Sequence, residues 1–158
     1  MPHRNFVLIR RDVTAATLLT EWQVSVPGNL MLYGDASHLE VQDALSACAA
    51  LVVTSRREGL PTVVLEAMTH SKPIVVPDEA GCVEAIGGGE YGLIYEPGNL
   101  ADLSEKTHQA LNDPTLGRTG RERVLEEYDW RIIAPRLDAI YNGSDEQSNG
   151  VRDGVLRA

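Results

Sequence analysis

Thr54-Ser55-Arg56-Arg57-Glu58-Gly59-Leu60-Pro61-Thr62-Val63-Val64-Leu65-Glu66-Ala67-Met68 is the stretch on which the reading of this chain turns. It follows the apolar run Ala49-Ala50-Leu51-Val52-Val53 and ends in an apolar, helix-favouring segment. Pro61 stands where a helix would begin. Proline suits the first helical position, because that N–H has no intrahelical partner and the ring presets φ. The stretch therefore reads as strand, short loop, helix. In an open parallel sheet, ligands bind at the loops leaving the C-terminal ends of strands. The free N–H groups and positive dipole end of a helix start suit a phosphate. Glu58 falls on the loop and Glu66 on the helix, in a Glu-x7-Glu spacing.

Outward from this stretch, short apolar runs alternate with helical patterns. Upstream, Phe6-Val7-Leu8-Ile9 reads as a short buried strand, followed by a helix from Thr14 to about Trp22 with Leu18, Leu19 and Trp22 on one face. Pro27-Gly28 is a turn, Leu30–Tyr33 a second strand, and Leu51–Val53 a third. Ser37 caps a helix from about His38 to Cys48, with Glu40 placed for a capping box and Leu39, Val41, Ala44, Leu45 and Cys48 facing inward. Downstream of the helix Pro61–His70, Pro73–Val76 is a fourth strand, Val83–Ile86 a short helix and Tyr91–Tyr95 a fifth strand. Asn99 caps a helix ending near Asn112, and two more helices follow at about Thr115–Tyr128 and Trp130–Tyr141. Apolar, non-alternating strands between helices are the pattern of a parallel sheet covered on both faces. Right-handed crossovers then give a Rossmann-like α/β layout with C-terminal helices. Residues 1–142 are expected to form one domain, and the Gly-, Ser- and Asp-rich tail 143–158 to be disordered.

The whole chain sets bounds on function. Its 158 residues fit a single domain with a real core. A net charge of −9 argues against nucleic-acid partners, whose footprint is basic. No run approaches the ~20 apolar residues of a membrane span, and the N-terminal apolar run is too brief for a signal peptide. Cys48 and Cys82 make neither a disulfide framework nor a metal spacing, so a reducing cytoplasm is the expected setting.

The central motif, with Glu58-Gly59, Leu65-Glu66-Ala67-Met68 and a buried strand before it, resembles the donor site of the GT-B-fold, family-four retaining glycosyltransferases. The likeness extends to Ser71-Lys72-Pro73-Ile74-Val75-Val76, Ala80-Gly81-Cys82-Val83-Glu84, Gly92-Leu93-Ile94-Tyr95-Glu96-Pro97-Gly98-Asn99 and Tyr128-Asp129-Trp130, and upstream to Leu32-Tyr33-Gly34 and Leu45-Ser46-Ala47. It covers about residues 6–142 and only the second of the family's two Rossmann-like domains. The strand carrying the Arg and Lys that clamp the donor diphosphate would lie before Met1, and the acceptor-binding domain is expected to be missing. Ala49, Thr54, Ser71 and Ala80 depart from the family's Asp, Pro and two glycines at those points.

The resemblance implies a single GT-B half-domain that binds a UDP-, GDP- or ADP-sugar and, in a complete enzyme, transfers the hexosyl group to a hydroxyl with retention. The acceptor would be a glycan, lipid or small molecule held by the missing N-terminal domain. Glu58 would accept hydrogen bonds from sugar hydroxyls and stand close to the anomeric centre as the catalytic carboxylate; Glu66 would bridge the ribose hydroxyls. The N–H groups of Gly59, Leu60, Thr62 and Val63 would donate to sugar and phosphate oxygens. Arg56 and Arg57 either add positive potential for the diphosphate or are solvated surface groups. No Asp-x-Asp and no His/Cys cluster suggests a metal or cofactor, so the expected reaction is metal-independent. The enzyme would be cytoplasmic, or peripheral to a membrane in its full form. Alternatively the chain is a non-catalytic, partner-docking module of a split or degenerate transferase, or a different relative such as a nucleotide-sugar epimerase. An unpaired sheet edge would favour self-association.

Overall fold

The structure is a computed structural model that describes residues 4–11, 13–20, 23–113 and 115–143. Trp22 and, apart from Gly143, the tail expected to be disordered lie outside the described residues. The chain divides into two compact units, residues 1–49 and 50–158.

In residues 1–49 the order is β1 (Phe6–Ile9), α1 (Ala15–Thr20), β2 (Leu30–Tyr33) and α2 (His38–Ala47). β1 and β2 pair in parallel, Phe6 opposite Leu30 and Ile9 opposite Tyr33. The Thr14 hydroxyl accepts from the Thr17 N–H at 3.1 Å, which starts α1 one residue after the expected boundary. At α2 the expected capping box is formed: Ser37 Oγ accepts the Glu40 N–H, and Glu40 Oε2 accepts the Ser37 N–H at 2.8 Å. Two expectations fail here. β1 is not a buried strand, since Phe6, Val7 and Ile9 are all exposed, Val7 by 47%. Leu18 and Leu45 are buried as expected, but Leu19 and Leu39 face outward, Leu39 by 75%. Apolar spacing shows which residues share a helix face; it does not show how wide a stripe finds a partner.

In residues 50–158 the strands β3 (Leu51–Val52), β4 (Ile74–Pro77) and β5 (Leu93–Tyr95) form a parallel sheet in the order β3-β4-β5. The helices are α3 (Thr62–Thr69), α4 (Ala80–Ala85), α5 (Leu100–Asn112), α6 (Thr115–Glu127) and α7 (Trp130–Tyr141). β4 sits between its neighbours with Ile74, Val75 and Val76 wholly buried. Successive side chains of a strand point to opposite faces, so both faces of β4 are covered. Val75 packs with Tyr95, Ala110 and, across the register, Val52 and Leu93. α3 and α4 also lie against β4. Each such side chain contributes about 1.5–3 kcal/mol through burial.

Helix starts and stops follow the polar punctuation. Asn99 caps α5 by accepting the Asp102 N–H at 3.1 Å, and Asp129 caps α7 by accepting the Arg131 N–H at 2.8 Å. Pro61 has an extended ψ of 102° and is the N-cap of α3, so the first helical residue is Thr62 and not the proline. α4 begins at Ala80, three residues before the expected start at Val83, which makes the Ala80-Gly81 segment helical.

α3 ends in paired backbone bonds from Ser71 N–H to Met68 C=O (2.9 Å) and from Lys72 N–H to Ala67 C=O (3.1 Å). That closing pattern needs a left-handed residue after the cap, usually glycine; here Ser71 occupies it with φ of 55°. α6 rests on this corner through Gly117, where an added Cβ would lie 1.9 Å from the Ser71 carbonyl oxygen. Left-handed φ costs a non-glycine residue about 1–2 kcal/mol, partly offset by its smaller chain entropy. Ser71→Gly is therefore expected to raise stability by about 0.5–1 kcal/mol, seen as a higher urea midpoint at unchanged slope; a lower midpoint would refute it.

Candidate functional site

The C-terminal ends of the three parallel strands in residues 50–158 converge, and the chain leaves each one differently. From β3 the ladder runs on through Val53, whose N–H bonds to the Val75 carbonyl at 2.9 Å. The Tyr95 hydroxyl at the end of β5 donates to the Val53 carbonyl at 3.2 Å, which fixes where the next loop departs. Residues Thr54 to Leu60 are exposed, and Arg57 within them takes φ of 60°. The loop thus carries Glu58 and Gly59 on open surface, and the space beside the Gly59 Cα is free. Pro61 is buried and returns the chain to α3.

α3 buries Val64, Ala67 and Met68. At 100° per residue, Glu66 lies roughly opposite those three, on the same side as Thr62 one turn earlier. Side chains on a helix tilt toward its N-terminus, so the half-buried Glu66 leans back toward the end from which Glu58 enters. No side chain caps that end. The N–H groups of Thr62 and Val63 therefore sit in the first turn, where the dipole favours an anion. The sequence-predicted residues Glu58, Gly59, Leu60, Thr62, Val63 and Glu66 accordingly fall on one continuous loop and helix start.

Beneath the loop runs α4. A Cβ built on Gly81 would lie 1.7 Å from the Gly59 carbonyl oxygen and 2.5 Å from that of Glu58. Only glycine allows this approach, so the loop rests directly on the first turn of α4. Spacing alone marks Gly81 as part of a turn; its real task, a helical glycine under another backbone, becomes visible only in three dimensions.

Charges gather at the same place. Cys82 is fully buried, and burial, reinforced by the carboxylates of Glu58 and Glu79, pushes its thiol above the ordinary range. Burial likewise raises Tyr95, with Cys82 and Glu79 adding to the effect and Arg56 opposing it. Arg56 thus lies within electrostatic reach of the strand ends. A cavity of about 190 Å³ opens there, lined by Thr54, Arg56, Pro77, Tyr95 and the Pro97–Leu100 corner, but by neither glutamate. It is smaller than the ~300–1,000 Å³ of a typical ligand pocket. The glutamate pair and the uncapped helix start, not this dent, form the candidate site. Among the described residues no three His, Cys, Asp or Glu side chains gather as metal ligands, and no helix is long and apolar enough to cross a membrane.

Residues 19–128 match the family described as glycosyl transferases group 1. The chain is 38% identical over 143 residues to the N,N'-diacetylbacillosaminyl-diphospho-undecaprenol alpha-1,3-N-acetylgalactosaminyltransferase of Campylobacter jejuni, covering 87% of this chain and 37% of that protein. It is 31% identical over 103 residues to a capsular polysaccharide biosynthesis glycosyltransferase of Staphylococcus aureus, covering 63% of this chain and 27% of the relative. Among solved structures, sucrose-phosphate synthase from Thermosynechococcus elongatus superposes with a TM-score of 0.73 at 24% identity, over 87% of this chain and 37% of that one. The expected α/β architecture of parallel sheets flanked by helices is therefore that of GT-B glycosyltransferase structures. The chain spans between about a quarter and two fifths of the length of these proteins.

Two outcomes test this geometry. Gly81→Ala forces the Glu58–Gly59 backbone off α4 and is expected to cost about 1–3 kcal/mol in urea unfolding; a neutral result would mean that the loop is not seated there. A thiol stays unreactive while it is protonated. At pH 8 a thiol reagent should therefore modify half-buried Cys48 and reach Cys82 only after denaturant is added; equal rates in the native chain would contradict the buried, neutral thiol.

Proposed function

The chain belongs to the glycosyl transferases group 1 family, and from that premise we propose that it is the half of a sugar transferase that binds the nucleotide-sugar donor. The observation that carries this reading is the placement of Glu58, the uncapped start of α3 and Glu66 on one continuous loop and helix. A diphosphate placed at the α3 N-terminus would meet the N–H groups of Thr62 and Val63. Glu66, one turn along, would then accept both ribose hydroxyls, since one carboxylate offers two acceptor oxygens. Glu58, on the loop side, would face the sugar. As an ionised carboxylate it can hold sugar hydroxyls and stabilise positive charge growing on the ring during transfer. The N–H groups of Gly59 and Leu60 would complete the contact.

On this reading residues 1–142 act as one donor-binding domain. The acceptor hydroxyl comes from a second half outside this chain, and transfer proceeds with retention and without a metal. The leaving diphosphate is stabilised by the α3 dipole, with Arg56 adding positive potential. The named chemistry of the 38% identical relative, transfer of an N-acetylhexosamine to a lipid-diphosphate-linked sugar, makes an acceptor of glycan or lipid-linked type the first to try. The enzyme would work in the cytoplasm, as a peripheral protein where the acceptor is a lipid. Phe6, Val7, Met31 and Tyr33 on the β1–β2 ladder are exposed, which supports a second role in pairing with another chain. That feature also favours the alternative of a partner-docking module without catalysis.

Calorimetric titration of the chain with UDP, GDP, ADP and their sugar conjugates separates the two. Saturable binding of one nucleotide is expected, weakened about tenfold or more by Glu66→Ala, because two hydrogen bonds to a charged group are lost. Binding that ignores Glu66→Ala would remove this site from the proposal. No binding at millimolar nucleotide would leave the docking-module reading in its place.

A further inference from the structure

Arg123 on α6 lies outside the motif, yet its largely buried side chain reaches the end of α4. Its Nη1 donates to the Ala85 carbonyl at 2.9 Å and its Nη2 to the Glu84 carbonyl at 3.3 Å. These are the last carbonyls of α4, which a cation at a helix C-terminus satisfies in both hydrogen bonding and dipole. The guanidinium also faces the rings of Tyr91 (5.0 Å) and Tyr128 (5.5 Å), takes a 3.3 Å contact with the Tyr128 hydroxyl, and pairs through Nε with Glu127 at 3.0 Å. Only 10% of its side chain is exposed. An arginine enclosed by two rings and two carbonyls is held by several partners at once.

α4 is only six residues long, so its two ends cannot move independently. One end is held by Arg123. The other, at Gly81, bears the Glu58 and Gly59 carbonyls within van der Waals contact. We propose that Arg123 is a positioning residue for Glu58: it locks the C-terminal end of α4, and α4, acting as a rigid strut through Gly81, sets the height and direction of the Glu58 loop toward the donor sugar. This rests on the donor-binding reading for its purpose, though not for its mechanics. Lysine cannot replace the fork, because an ammonium is a point charge that cannot serve both carbonyls and stack between two rings in the same way.

The test uses the full chain as Arg123→Gln and Arg123→Lys, with Ala110→Gly as a control that loosens the opposite face of β4. Amide hydrogen exchange of the segment 57–60 and binding of UDP-, GDP- and ADP-sugars are measured beside thermal unfolding. Arg123→Gln is expected to speed exchange at 58–60 about fivefold or more and weaken nucleotide-sugar binding about tenfold, with Arg123→Lys intermediate. Ala110→Gly should lower the melting temperature and change neither. Unchanged exchange at 58–60 in Arg123→Gln, or equal acceleration in Ala110→Gly at a matched loss of stability, would overturn the proposal and leave Arg123 a purely structural clamp. Should Arg123→Gln fail to fold, the lysine variant carries the same comparison. A wild-type chain that binds none of these nucleotide-sugars would sink the donor reading, while the exchange measurement still decides whether Arg123 holds the loop.

Discussion

Strand β4 has a parallel neighbour on each side and packed helices over both faces, so Ile74, Val75 and Val76 have no contact with solvent. A segment in that position has no freedom to slip, because a shift of one residue would exchange every side chain between faces. The segments leaving that end of the sheet inherit its rigidity. The loop after β3, the helix after β4 and the corner after β5 all depart from one fixed edge. Tyr95 strengthens that edge by donating across the sheet to Val53.

On this foundation the two glutamates are held in different ways. Glu66 is part of α3, whose apolar face of Val64, Ala67 and Met68 is wholly buried, so its position is set by helix geometry. Glu58 lies on a loop with no secondary structure of its own. Its placement depends on contacts at the loop's ends and underside: the Val53 strand end, the buried Pro61 and the glycine surface of α4. A loop seated this way combines open access with a defined backbone, which a group that must meet a ligand needs and which a free loop would lack.

The candidate site is also open to solvent. Glu58 and Leu60 are exposed, and the neighbouring cavity of about 190 Å³ is smaller than a typical ligand pocket. Electrostatic stabilisation of a reacting sugar is strongest where water is excluded. On the donor-binding proposal, a second surface closing over this one would supply that exclusion.

The order of strands and helices, the Ser37 capping box, the Asn99 cap, the parallel α/β class and the whole loop-to-helix segment bearing Glu58 and Glu66 were legible in the residues. They depend on local chemistry: caps on side-chain reach, helices on spacing, buried strands on unbroken apolar runs. Local pattern misled where the answer lay with a neighbour. Phe6-Val7-Leu8-Ile9 has the composition of a buried strand, yet burial needs a partner on each face, and that is not written in four residues. Ser71 looks like an unfavourable substitute for glycine, yet it adopts the left-handed turn because α3 closes its end there and α6 packs against it. Gly81 reads in sequence only as part of a turn, and Arg123 carries no signal there. What each does is decided by a backbone some twenty residues away for the glycine and by the end of α4, nearly forty residues upstream, for the arginine. The sequence alone determined the strand, loop and helix order on which Glu58 and Glu66 lie; the tertiary structure decided what supports that loop, because the support comes from contacts between segments far apart in the chain.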